Sequence, residues 1–170
     1  LVIGAPVSTV TGIGNAAKQG VLFKGGESIE KMVQIDTILF DKTGTLTMGK
    51  PEVIVFDVFD ENQKQDVYEK VLLAESNSEH PLAKSIQEYL DGKVSVSSHN
   101  LESEVVIGQG VKAMVDNELV LVGNEKLLNE HNFQLNEKIN QKILEYQRQG
   151  MTVTMIGLHD EVVGLIGIMD

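Results

Sequence analysis

Asp41 is followed by "KTGTLT", so a carboxylate heads a run of small hydroxyl residues, with Lys42, Thr43, Gly44, Thr45 and Thr47 behind it. This set suits phosphoryl transfer. A positioned carboxylate is a nucleophile. The Lys42 ammonium brings positive charge to the transferring group. Gly44 lets the backbone approach a phosphate, and the threonines offer donors to its oxygens. An aspartate two residues after the nucleophile could activate water against an acyl phosphate; Thr43 does this poorly. The aspartyl phosphate is therefore expected to persist, which suits an energy-coupling machine better than a phosphatase. An aspartate two residues before a threonine also fits a helix cap, but the seven residues together favour the nucleophile.

Such a carboxylate needs an element to carry it. Ile35–Phe40 is apolar and bounded by turn residues, so it predicts a strand buried on both faces. That strand would deliver Asp41 at its C-terminal end, where an open α/β sheet places its active site. Pro51 opens a second strand, "PEVIVFDVF", and "DENQKQ" is a polar turn. Val67, Val71, Leu72 and Ala74 have helical spacing. Pro81 fits the first turn of a helix running to about Leu90 and ended by "DGK". Strands are expected at 104–107, 111–115 and 118–122, with Asp116-Asn117 as a hairpin turn. Leu135, Ile139, Ile143 and Tyr146 form a helical stripe closed by Gly150. Two more strands, 152–158 and 162–168, are joined by "HDE".

Composition narrows the class. With 170 residues and 42% hydrophobic content the chain can bury a core, and without cysteine it has neither disulfides nor cysteine metal sites. The net charge of −11 is uneven: five Lys against four Asp/Glu up to residue 50, then nine Lys/Arg against 21 Asp/Glu. An acidic bulk of this kind argues against a nucleic-acid partner. The first seventeen residues are uncharged, and Lys18 and Lys24 follow. This run reads either as a buried soluble segment or as the second half of a membrane span with its lysines on the cytoplasmic side. The chain begins with Leu1 and is expected to be a piece of a longer protein.

The motif "DKTGTLT" resembles the phosphorylation signature of P-type ATPases. "SEHPLAK" at 78–84 resembles the histidine-proline motif of the heavy-metal-transporting subgroup, and "GQGVKA" and "VGNEK" resemble its adenine-site loops. "GNAAKQGVLFKGGESIE" at 14–30 resembles the segment that leads from its metal-bearing membrane helix. The resemblance implies an α/β architecture: part of a haloacid-dehalogenase-like phosphorylation domain carrying an inserted α+β nucleotide-binding domain on an antiparallel sheet. The implied boundaries are 1–18 for the end of a membrane helix, 19–50 for the start of the phosphorylation domain, 51–168 for the nucleotide-binding domain, and 169–170 for the return hinge.

The resemblance also implies roles. Asp41 would be the phosphorylated residue. Lys42 and Thr43 would contact the phosphate, and Asp41 and Thr43 would supply part of a Mg²⁺ site. Glu75 and His80 would line the adenine pocket. Gly108 and Gly110 would let the nucleotide approach the backbone, with Gly123 and Asn124 closing the pocket. The implied partners are ATP, a membrane, and a heavy-metal cation exported through parts outside this chain. The amino-terminal run looks nearer to the zinc/cadmium pumps than to the copper ones. Alternatives are a phosphatase of the same fold class and an ATP-binding module without turnover; the isolated chain is expected to bind ATP without turnover. "GIGNAA" and "GQGVKA" also fit a dinucleotide fingerprint, but neither has the strand before and helix after that it requires. His99, His131 and His159 read as isolated, solvated side chains.

Overall fold

The computed structural model describes residues 4–41, 45–47 and 49–170. The chain divides into two compact units, Leu1–Asp41 and Lys42–Asp170.

In the first unit, α1 (Gly4–Lys18) carries the apolar run and closes on Lys18, a cation suited to the negative end of the helix dipole. A short α2 (Gly26–Met32) follows, with Glu27 in its first turn and Lys31 in its last. The two helices pack closely: a Cβ on Gly26 would lie 2.6 Å from the Thr9 methyl. No helix among the described residues is long and apolar enough to cross a membrane. The strand expected at Ile35–Phe40 is not formed. The run has no regular structure and is exposed, with Leu39 at 93%. A strand buried on both faces needs neighbours to take its backbone groups. Among the described residues the six paired strands all lie elsewhere.

The second unit is an antiparallel sheet with helices on both faces. Its strands are β1 (Glu52–Val58), β2 (Leu101–Val106), β3 (Gly110–Val115), β4 (Glu118–Gly123), β5 (Thr152–Leu158) and β6 (Glu161–Met169), in the order β1-β6-β5-β4-β3-β2. The period-two alternation of strands sorts the side chains. Val120, Val122, Ile156, Leu158, Ile166 and Ile168 face one core, shared with α3 (Lys64–Glu75) and α4 (Pro81–Leu90). Their neighbours Leu121, Met155 and Leu165 face a second core, shared with α5 (Glu125–Glu130) and α6 (Glu137–Arg148).

Local chemistry explains the joints. Asp116 and Asn117 turn β3 into β4, and His159 and Asp160 turn β5 into β6, all four with positive φ. Two such residues in succession match the twist of a hairpin. Asn124 and Asn136 each cap a helix by accepting from a backbone N–H three residues on. The helical stripe ends at Gly150, with φ +86°. Phe56 of β1 packs edge-on against Tyr68 of α3 and stacks on Tyr89 of α4, fixing both helices to the sheet.

Candidate functional site

The end of α3 and the start of α4 form one wall of a cavity. Glu75 is the last residue of α3, and only 4% of its surface is exposed. The "SNSEH" loop then turns the chain into α4. Gln87, in the second turn of α4, donates from its side-chain amide to the Glu75 carbonyl and, at 3.3 Å, to that of Ser78. Asn77 donates to the Ser103 hydroxyl at 2.9 Å, tying the loop to β2.

His80 caps α4: its Nδ1 accepts from the Leu82 N–H at 3.3 Å, and Pro81 fills the first helical position. With that lone pair engaged, a neutral ring carries its proton on Nε2. The cap thus fixes the tautomer and leaves a donor and a ring face for a ligand.

The opposite wall is the β2–β3 turn and the end of β4. Gly110 sits at φ +140°, and a Cβ there would lie 2.2 Å from the Val122 carbonyl oxygen. A Cβ on Gly123 would lie 2.4 Å from the Gln109 carbonyl oxygen. Two facing glycines therefore permit the backbones to close up. Asn124 clips this turn: its backbone N–H donates to the Gln109 carbonyl at 2.8 Å, and its side-chain amide donates to the Gly108 carbonyl at 3.0 Å.

Glu75, His80, Gly108, Gly110, Gly123 and Asn124 all line one cavity of about 460 Å³. The remaining lining is mostly apolar, including Ile86, Val106, Val111 and Val122. Thr152 and Thr154, neighbours on one face of β5, add two hydroxyls. Neither threonine nor Gln87 is marked by a sequence motif; the alternation that puts Ile156 and Leu158 in the core is the signal that could have found the threonines. A wider hollow of about 630 Å³ beside α5 is lined only by polar residues of that helix and its cap, so it lacks apolar walls for a base.

Burial pushes the Glu75 carboxyl up to about 7. Its Oε2 is buried without a hydrogen-bond partner. The cavity can thus take a flat heteroaromatic group between apolar walls and offer it one buried acid, one imidazole and backbone edges.

Asp41 lies in an exposed stretch without regular structure. Lys42, Thr43 and Gly44 lie outside the described residues. Thr47 donates from its hydroxyl to the Asp170 carboxylate at 2.6 Å. The chain therefore enters β1 and leaves β6 at one place, where Glu52 pairs with Met169. Of the expected Mg²⁺ pair only Asp41 is described, and no group of three metal-ligating side chains occurs among the described residues.

Three histidines expected to be isolated are not. His99 Nε2 meets the Glu69 carboxylate at 2.8 Å, and its Nδ1 meets Asp116. His131 Nδ1 lies 2.9 Å from the Leu127 carbonyl, and His159 Nδ1 lies 2.5 Å from Glu118. The partners come from a different element or from the preceding helical turn, which sequence adjacency does not reveal.

Residues 35–170 match the haloacid dehalogenase-like hydrolase family. The copper-exporting P-type ATPase of Staphylococcus aureus (strain USA300 / TCH1516) is 38% identical over 168 residues, covering 99% of this chain and 20% of that protein. The chain thus spans about a fifth of the length of the curated relatives it matches. A zinc-transporting PIB-type ATPase in its E2.Pi state superposes with TM-score 0.76 and 28% identity, over 99% of this chain and 27% of that one. The N-domain of the copper-transporting P-type ATPase HMA6 shares the fold, with TM-score 0.57 and 20% identity over 70% of this chain and 98% of that domain. A match over most of the chain makes the assignment: the chain belongs to the haloacid dehalogenase-like hydrolases, and the relatives it resembles lie in the branch of the heavy-metal P-type ATPases.

Proposed function

We propose that this chain is the nucleotide-binding and phosphoryl-accepting segment of an ATP-driven heavy-metal cation pump. Members of this branch use ATP and Mg²⁺. The observation that carries the reading is the convergence of six residues from three separate stretches of sequence on one cavity. The adenine base enters between the apolar walls, with Glu75 and His80 at its edge and the Gly108–Gly110 turn against its face. Asp41 attacks the γ-phosphorus: a carboxylate oxygen forms the acyl-phosphate bond, the bond to the β-phosphate oxygen breaks, and ADP leaves with that electron pair. Lys42 and Thr43 hold the phosphoryl oxygens. The shared entry and exit at Thr47 and Asp170 support reading 51–168 as an insertion into a phosphorylation domain. The helix α1, ending at Lys18, is read as the inner end of a membrane helix.

The amino-terminal run supports a zinc or cadmium cargo, whereas the 38% identical relative carries copper in its name. Transport assays with Zn²⁺, Cd²⁺ and Cu⁺ separate them. The test of the nucleotide site is an ATP titration of the ¹⁵N-labelled chain. Amide shifts are expected at His80, Gly108, Gly110, Gly123 and Asn124. An unchanged spectrum at these residues overturns the reading.

A further inference from the structure

Glu75 is an unusual group to bury. No hydrogen bond or ion pair reaches its carboxyl among the described residues, and Oε2 is sealed from water. Its position worsens the case for a charge. As the last residue of α3 it sits at the helix's negative end, where carboxylates are disfavoured. Nearby, the carbonyls of Glu75 and Ser78 are both turned toward the Gln87 amide, so that donor is already used. Among the described residues, the only other titratable side chain lining the cavity is His80, from the start of α4. The β2–β3 turn and strands β2 to β5 contribute glycines, aliphatic residues, Gln109, Asn124, Thr152 and Thr154, none of which titrates. A buried carboxyl that no donor or cation reaches is shifted toward its neutral form.

A neutral carboxylic acid presents a donor and an acceptor side by side. The edge of adenine that carries N1 and the N6 amino group presents the complementary pair. Building on the nucleotide reading above, we propose that Glu75 binds the base as the neutral acid. Its O–H donates to a ring nitrogen while its carbonyl oxygen accepts from the adjacent exocyclic amino group, so that ATP binding takes up a proton. An ionised Glu75 could accept from the amino group, but would set its second oxygen against the lone pair of the ring nitrogen. The free site titrates near neutrality, which places the coupling in the physiological range.

Only the protonated fraction of the site is competent, so apparent affinity scales with that fraction. Affinity should be nearly flat below neutral pH and fall roughly tenfold between about pH 6 and about pH 8. Calorimetry of ATP binding to the whole chain reads this directly when repeated in buffers of different ionisation enthalpy. At about pH 8 the ATP phosphates are fully ionised, the free acid is mostly ionised, and close to one proton should be taken up per ATP. At about pH 6 the uptake assignable to Glu75 should vanish, leaving only the contribution shared with a Glu75→Gln variant. Glutamine carries the same donor and acceptor at every pH. Glu75→Gln should therefore flatten the affinity profile, holding at high pH the affinity that the native chain reaches only at low pH. Binding heat with no buffer-dependent proton term at high pH overturns the proposal and leaves the nucleotide reading standing. So does a glutamine variant that binds more weakly than the native chain at high pH. Absence of any ATP heat at either pH overturns both.

Discussion

The side-chain amide of Gln87 donates to the backbone carbonyl of Glu75, twelve residues earlier and on a different helix. The same nitrogen reaches the Ser78 carbonyl at 3.3 Å. One side chain of α4 thereby holds both the end of α3, which carries the buried acid, and the loop that delivers His80. The two groups expected to read the base are spaced by a residue that itself does not line the cavity.

Gln87→Ala should weaken ATP binding while leaving the fold intact. Losing one net hydrogen bond of about 1 kcal/mol corresponds to roughly fivefold in affinity if it is felt wholly at the site. Titration of the variant alongside far-UV circular dichroism checks this. Native affinity in a folded Gln87→Ala chain would remove the positioning role.

The glycines of the β2–β3 turn separate two kinds of constraint. At Gly110 an added Cβ would press on backbone of β4, which cannot swing aside. Gly110→Ala should cost about 2–4 kcal/mol and disturb the cavity wall. At Gly108 φ is +71°, but the space is open. Gly108→Ala should cost only the left-handed strain, about 1–2 kcal/mol. Urea unfolding of both variants gives the contrast; equal costs would mean that crowding at Gly110 is relieved by movement of the strands.

Much of this architecture was readable in advance because it is local. The helix over 64–75 follows from the spacing of Val67, Val71 and Ala74, and the one over 81–90 from Pro81. Both hairpin turns were legible as polar breaks between apolar runs. The short α5 was not, because six residues carry too little periodicity, although Asn124 is a good cap. The run Ile35–Phe40 misled for a different reason: apolar composition reports a wish for burial, but a strand also needs partner backbones. In the site, the motif residues were visible and their supports were not. Gln87, Thr152 and Thr154 reach the cavity or its walls through tertiary packing alone.

The His99 cluster ties the chain after α4 to α3 and to the β3–β4 turn. Hydrogen bonding to Asp116, then to Glu69, holds the imidazolium above its ordinary value. A folded-state value above the unfolded one means that the stabilisation is complete below the unfolded value of 6.5 and is lost as pH rises through the raised one. The carboxylates run the other way. Asp116 is lowered chiefly by His99, and Glu69 chiefly by the Ser97 N–H, so their contributions persist at neutral pH and fade only in acid. Urea midpoints of the native chain should therefore carry a decline as pH rises above 6.5, and His99→Ala should remove that part of the decline. An unchanged slope would show that the cluster is open in solution.

Asp41 is read as the phosphoryl acceptor. In a longer protein carrying this segment within a complete pump, ATP and the transported metal should yield an acid-stable, hydroxylamine-sensitive phosphoenzyme. Asp41→Asn should abolish the label, because an amide is not a nucleophile toward phosphorus. Persistent labelling of that variant would place the acceptor on another residue.

When no nucleotide is bound, the buried acid costs the fold stability. Glu75 is raised from an ordinary 4.5 to about 7 by burial. The unfolded chain exposes the same carboxyl to water at its ordinary value. Below 4.5 the group is protonated in both states and favours neither. Between 4.5 and about 7 the folded chain holds a proton that the unfolded chain has lost, so stability falls as pH rises. Above that window the penalty is complete. At 1.36 kcal/mol per pKa unit it amounts to about 3 kcal/mol, a large share of a small domain's stability. Glu75→Gln removes the ionisable group while keeping its shape. The variant should be more stable than the native chain at about pH 8 and should lose this advantage toward about pH 4. Unfolding curves across that range measure it. A variant no more stable than the native chain at high pH would mean that water or a donor reaches the carboxylate, and the case for a neutral Glu75 would fall with it. A stabilised variant would show a binding group held in place at the expense of the fold, as expected where a site's chemistry opposes its own burial.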